Sequence, residues 1–206
     1  MRLYRSKFEE VVQLLDPRTR TLLDVGCRDG RLKKYLPANI EYSGIDLFPG
    51  PFVSKVCNIE QGIPYPDNVF DTVVALDILE HTDNIWFSFS ELVRISRRQL
   101  MVVLPNSYHW KERLRFLRGK EGGKHVMPLE PIQDRHRWLP SYTTSQAFAT
   151  HMAAKHGLTL ASVSMMVDDR RNVLRELAAR VFPPNLMSVN VLFLFEKPPA
   201  AAAKSA

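Results

Sequence analysis

The stretch LLDVGCRDG, residues 22–30, runs from an apolar strand through a turn into a charged helix. Gly26 and Gly30 bracket the turn and give it the outline of a nucleotide loop. Arg28 departs from that outline, standing where such loops place their most cramped glycine. A strand that ends in such a turn is the first unit of an open α/β sheet. In such sheets ligands settle at the carboxyl ends of the strands, near the point where strand order reverses. The helix start beyond the turn is expected to offer free backbone N–H groups.

Outward from this unit, strand-like and helix-like segments alternate. Upstream, Ser6 with Glu9 forms a capping box for a helix to about Leu15, which Asp16-Pro17 stops. TLLDV is a buried strand, and the helix around RLKKYL is ended by Pro37. EYSGIDL, FVSKVC and FDTVVAL are the next three strands. Residues 84–97 read as helix, with Ile85, Phe89, Leu92 and Val93 on one face, and QLMVVLP is a fifth strand. The beat breaks over residues 105–140, a long, basic, Pro/Gly-punctuated insertion expected to lie over the strand ends. Helical periodicity returns from Thr144 to His156, closed by Gly157. LTLASVSMMV and SVNVLFLFEKP are the last two strands, with the basic amphipathic segment RRNVLRELAARVF between them. The alternation predicts a doubly wound sheet of mostly parallel strands in one domain over residues 1–198, with a disordered tail at 199–206.

Composition narrows the class. The chain has 206 residues, 45% of them hydrophobic and 24% charged, which fits one soluble core. Its first residues lack the apolar run of a secretory signal. Its longest apolar runs are strand-sized, far short of the roughly 20 residues of a membrane helix. Two cysteines make no disulfide framework. These readings place the chain in the cytoplasm. The net charge of +6 is concentrated in residues 107–138, where eight Lys or Arg face four acids. Such a block reads either as a contact for an anionic ligand or membrane surface, or as a solvated face.

Asp46 ends the second strand 22 residues after Asp24, where a carboxylate accepts two hydrogen bonds from a ribose diol. A ribose-bearing cofactor is therefore expected. The dinucleotide pattern fails, because Gly26, Arg28 and Arg31 fill its three glycine positions, and the phosphate loop ending in Gly-Lys-Ser/Thr is absent. A cation at Arg28 crowds a pyrophosphate but leaves room for the amino-acid end of S-adenosylmethionine, whose carboxylate it could pair with.

LLDVGCRDG, YSGIDL, the VCNIE segment and FDTVVALDILEH resemble, in order and spacing, class I S-adenosylmethionine-dependent methyltransferases. LDILEH is similar to the small-molecule branch, which includes quinone, sugar and methionine-biosynthesis-associated members. The resemblance implies a Rossmann-like, doubly wound seven-stranded sheet, parallel except for an antiparallel last strand, with helices on both faces. It implies that Asp24, Gly26, Cys27 and Gly30 surround the methionine moiety, whereas Arg28 departs from the family's motif and enters the site only through its charge. Asp46 then holds the ribose hydroxyls with Leu47 beside the adenine, Asn58 with Ile59 reads the adenine edge, and Leu76 with Asp77 lies near the methionine amine.

His81 falls where acceptor and methyl group would meet, as a general base or as a non-catalytic family histidine. Cys27 and Cys57 read as small buried residues rather than redox groups. No metal-ligand spacing is legible among the six histidines. The insertion carries Tyr108, Trp110, His136 and Trp138, which either hold the acceptor or anchor a lid. The expected function is methyl transfer to a small-molecule, glycan or lipid-linked acceptor. The competing class is a non-catalytic methyltransferase-fold partner of another enzyme, for which Arg28 speaks. RNA methylation would use the basic block, but no Pro-Pro-aromatic motif follows the fourth strand.

Overall fold

The computed structural model describes residues 2–4, 6–120, 129–130, 135–167 and 173–198. Eight strands form one sheet in the order β1-β7-β8-β6-β5-β2-β3-β4. They are β1 (Arg2–Tyr4), β2 (Thr21–Val25), β3 (Glu41–Asp46), β4 (Lys55–Val56), β5 (Phe70–Leu76), β6 (Ser96–Pro105), β7 (Thr159–Met166) and β8 (Asn190–Glu196). Only β8 runs against its neighbours, antiparallel to both β6 and β7. The seven-stranded expectation is thus corrected to eight. The addition is β1, three residues paired in parallel with β7 at the sheet edge, too short for alternation to mark it.

β5 is buried along its whole length, as a central parallel strand covered on both faces must be. β2 pairs with β3 on one side and with β5 on the other. The chain proceeds from β2 outward through β3 and β4, then returns to the far side of β2 with β5 and β6. Strand order reverses between β2 and β5, and their carboxyl ends frame the crevice.

Among the described residues, six α-helices accompany the sheet: α1 (Lys7–Leu14), α2 (Ile85–Ile95), α3 (Trp110–Leu117), α4 (Tyr142–His156), α5 (Val173–Val181) and α6 (Pro184–Met187). On one face Val11 of α1 packs with Leu22, Val74, Met101 and Leu192. On the other, Phe89 and Leu92 of α2 and Met152 of α4 pack with Phe193 and Phe195. Phe89 is wholly buried there, and truncating such a side chain costs about 3–5 kcal/mol. Ser6 caps α1 by accepting from Glu9 N, as its spacing predicted. The helix expected to begin at Thr144 starts two residues earlier, because Ser141 and Thr144 form a reciprocal capping box, and it ends at a left-handed Gly157.

Two expected elements shrink. The helix at RLKKYL is a 3-10 turn, Arg31–Lys34, hemmed in between a left-handed Gly30 and Pro37. The FVSKVC strand reduces to the exposed pair Lys55–Val56. Between β6 and α4 lies α3, none of whose side chains is buried. The tail 199–206, expected to be disordered, and parts of the basic insertion lie outside the described residues. No described helix is long and apolar enough to cross a membrane.

Candidate functional site

The turn after β2 is built from left-handed residues: Gly26, Arg28 and Gly30 have φ of 72°, 50° and 64°. A Cβ on Gly26 would lie 2.0 Å from Ile78 Cδ1, and one on Gly30 would lie 2.4 Å from the Phe52 ring. Glycine is therefore required at both positions. Arg28 tolerates the same conformation at a cost of about 1–2 kcal/mol, and its side chain is exposed rather than pressed into the wall. The backbone gain is direct: Arg28 N donates to Asp46 Oδ2 at 2.9 Å.

The loop's amides are otherwise consumed by the protein. Gly26 N and Cys27 N both donate to Ile45 O, and Gly30 N donates to Cys27 O. The amides of Gly26 and Cys27 thus tie the turn to β3, and that of Gly30 closes the turn on itself. Asp46 sits at the centre of that tie. Its Oδ2 takes Arg28 N and its Oδ1 takes Phe48 N at 3.2 Å. A carboxylate has about four acceptor positions, so each oxygen keeps one for a ligand diol.

The carboxyl ends of β2 and β5 supply two more acids. Asp24 is buried, and its Oδ2 accepts from Tyr42 Oη at 2.9 Å. Burial lifts its carboxyl to about 7, against the lowering effects of the Tyr42 hydroxyl and the Lys7 ammonium. Asp77 follows β5 in a left-handed conformation, φ 58°. Its carboxylate is held by Lys7 Nζ on Oδ2 and by Asn190 Nδ2 at 3.1 Å on Oδ1. Lys7 opens α1, so α1 places a cation between the two acids at this end of the crevice.

At the other end, Leu47 and Phe48 are half-exposed apolar lips beyond Asp46. Asn58 caps the 3-10 turn Ile59–Gln61, its Oδ1 accepting from Glu60 N at 3.0 Å, and Ile59 is buried beneath. The Asn58 carbonyl oxygen keeps a second lone pair beyond that bond. Cys27 is buried with its thiol pushed up to about 11 by desolvation, which keeps it out of thiolate chemistry.

Asp24, Gly26, Cys27, Arg28, Asp46, Leu47, Asn58, Ile59, Leu76 and Asp77 all line one cleft of about 1220 Å³. Gly30 shapes the turn from behind. A small-ligand pocket holds roughly 300–1,000 Å³, so this cleft lies at the large end for one site. His81 lines it too, in the 3-10 turn Leu79–His81, with Arg135 and Arg137.

The insertion docks on that same turn. Arg137 N and Trp138 N donate to Glu80 O at 2.7 and 3.3 Å, and His81 Nδ1 meets Arg135 O at 3.0 Å. Trp138 Nε1 donates to Thr82 O at 2.7 Å, and its ring packs edge-on against Trp86. Trp138 is an anchor. Tyr108 and Trp110 do not line the cleft. Tyr108 follows Asn106, whose side chain ties it to Ser188 near α6. His136 stands edge-on to His81, with ring centroids 4.8 Å apart. Sequence reasoning missed Lys7, which belongs to no local motif, and Glu80, which lies within LDILEH without a role of its own there; both act through residues more than 50 positions away.

Comparison with known proteins matches this geometry to a family. Residues 5–194 match the model of the methionine biosynthesis protein MetW family. No curated protein sequence matches the chain. Among solved structures, an S-adenosylmethionine-dependent methyltransferase from Archaeoglobus fulgidus is 17% identical, covering 94% of this chain and 96% of its own, with a TM-score of 0.58. Magnesium protoporphyrin IX methyltransferase from Synechocystis, solved with bound S-adenosylhomocysteine, is 15% identical over 93% of this chain and 82% of its own, TM-score 0.60. A Haloferax volcanii methyltransferase complexed with the Trm112 activator is 14% identical over 92% and 87%, TM-score 0.58. At these identities the likeness concerns the fold.

Proposed function

The chain belongs to the MetW family, and on that premise we propose that it binds S-adenosylmethionine in this cleft and methylates a small-molecule, glycan or lipid-linked acceptor. The observation that carries the reading is Asp46, whose two oxygens are fixed by Arg28 N and Phe48 N with a lone pair each left for a diol. The rest of the cleft fits the same ligand from end to end. Leu47 and Phe48 offer apolar cover for a base, Asn58 an acceptor for its amino group, and Asp24 and Asp77 carboxyls for an ammonium.

The cofactor, when bound, supplies a sulfonium-activated methyl group that needs little further activation. The chain's part is then to orient the two reactants and keep water out. His81 faces the cleft with Nδ1 against the Arg135 carbonyl. A carbonyl only accepts, so Nδ1 carries the proton and Nε2 is the basic nitrogen of the neutral ring. His81 is placed to take a proton where the acceptor must lose one. Arg135 and Arg137 at the same mouth suit an anionic acceptor. α3 carries exposed Phe116 and Leu117 among Lys111, Arg113, Arg115 and Arg118, which suits contact with an anionic membrane surface and a lipid-linked acceptor.

Calorimetric titration with S-adenosylmethionine and S-adenosylhomocysteine tests the reading, with Asp46→Ala as control. Micromolar binding lost in the control supports it, and methyl transfer to candidate glycans and small acids then follows. A second reading, a methyltransferase-fold partner that never turns cofactor over, is favoured by one observation. Lys7 already pairs with the carboxylate that a methionine ammonium would use. Absence of cofactor binding by a well-folded protein would favour it.

A further inference from the structure

We propose that Glu80, His81 and His136 form a binding site for one divalent transition-metal ion of the zinc class, at the lid side of the cleft. The inference goes beyond methyl transfer and does not rest on it; with an ion bound, His81 Nε2 is its ligand and does not act as a general base. One ligand atom from each of the three lies within 4.8 Å of the others. Glu80 Oε1 is 3.9 Å from His81 Nε2 and 3.9 Å from His136 Nε2. A tetrahedral ion with bonds of about 2.0–2.2 Å spaces its ligand atoms about 3.3–3.6 Å apart. The two carboxylate–imidazole gaps close with shifts of about half an ångström, and the longest gap among the three, up to 4.8 Å, closes by roughly an ångström or more.

The surroundings hold these groups in ligand-like orientations. Glu80 is 1% exposed, so an ion held at its carboxylate would be little screened by water. His81 Nδ1–H donates to Arg135 O, which leaves Nε2, the nitrogen nearest the carboxylate, as the ligating atom of the neutral ring. A second-shell carbonyl on the far nitrogen is the usual way a metal-binding imidazole is oriented. His136 is fixed from both sides in sequence. Arg135 O receives His81, while Arg137 N and Trp138 N grip Glu80 O. The same backbone that docks the lid therefore sets the third ligand against the first two. Two imidazoles and a carboxylate favour zinc, cobalt, nickel, iron or manganese over magnesium and calcium, which prefer all-oxygen sites.

The ion-free alternative is a buried carboxylate shared by two protonated histidines, and metal titration separates the two. Tag-free full-length protein stripped with chelator would be titrated with Co²⁺, followed by its visible bands, and then with Zn²⁺ in competition. The expected result is one equivalent bound, with affinity reduced at least 100-fold in both His136→Ala and Glu80→Gln. His151→Ala, an exposed histidine on α4, should bind as wild type. Failure of the wild type to take up either metal below about 100 μM, or undiminished binding by the His136 and Glu80 variants, overturns the assignment. Should Glu80→Gln not fold by circular dichroism, His136→Ala decides alone, since its side chain lies on the lid.

Discussion

Raising the pH from the acid side up to neutrality should weaken this fold, and Asp24 supplies the reason. Its carboxyl is 4% exposed, and burial raises its pKa from an ordinary 3.8 to about 7. Between those values the folded state keeps a proton that the unfolded chain gives up, so stability falls as pH rises across the interval. At 1.36 kcal/mol per pH unit, the whole interval amounts to roughly 4 kcal/mol, of which about 2–3 kcal/mol falls between pH 5 and 7. Asp24→Asn removes the titration while keeping a carbonyl oxygen to accept from Tyr42 Oη. Denaturant unfolding of both proteins at pH 5, 6, 7 and 8 isolates Asp24 from every other titrating group. The advantage of the variant should grow by about 2–3 kcal/mol from pH 5 to 7 and then level off. A difference that stays flat, or that grows toward acid pH, refutes the account of Asp24 as a carboxyl held neutral by burial. Cofactor binding offers a further check, because an ammonium brought beside Asp24 favours its ionised form. Titration near pH 6.5 in buffers of different ionisation enthalpy should then register a released proton.

Three other outcomes follow from single contacts. Asp46→Ala should weaken S-adenosylmethionine binding about 100-fold, the loss of two charge-assisted hydrogen bonds of about 1.5 kcal/mol each. Calorimetric affinity within a few-fold of wild type would remove the ribose from that carboxylate. Arg28→Gly should raise unfolding stability by about 0.5–1 kcal/mol, since it relieves a left-handed residue at φ 50°. Arg28→Ala, strained in the same way, should gain nothing in the same denaturant assay. Trp138→Phe deletes the bond to Thr82 O. It should cost about 1 kcal/mol and speed limited proteolysis within residues 105–140, which mass spectrometry of the fragments would locate.

What the sequence disclosed was local. Asp24, the glycine turn, Asp46 and the Leu76–Asp77 strand end each sit at the close of an apolar run, so strand-to-turn transitions alone bring them to one rim. β1 escaped because three residues carry no period, and its pairing with β7 joins segments more than 150 positions apart. The start of α4 was misread because its cap is the exchange between Ser141 and Thr144, visible in a sequence only once the helix register is known. Trp138 was legible as an aromatic of the insertion but not as its anchor. That role depends on the carbonyl of Thr82, which no pattern marks. Glu80 was hidden for the same reason. Beside His81 it reads as an ordinary polar residue of a turn, and neither its burial nor its approach to His136, 56 positions on, is marked by any pattern.

The two readings of the cleft meet at Lys7, and charge conservation decides what its presence means. Lys7 and Asp77 form one ion pair, and Asp24 beside them is held neutral by burial up to about pH 7. The methionine end therefore carries no net charge, which suits a zwitterion better than an unpaired acid would. A ligand ammonium that takes over Asp77 frees Lys7, and the ligand's own carboxylate can then receive it. One ion pair is exchanged for two. Lys7 and Asp77 are each about a quarter exposed, so the exchange trades one partly buried pair for two in the same surroundings. Lys7 is thus no plug. If it pairs with the ligand carboxylate, Lys7→Met should weaken S-adenosylmethionine binding and barely touch adenosine binding. If Lys7 instead blocks the site, the same variant should tighten the first and leave the second unchanged. Calorimetry on those two ligands distinguishes a cation that serves the cofactor from one that replaces it.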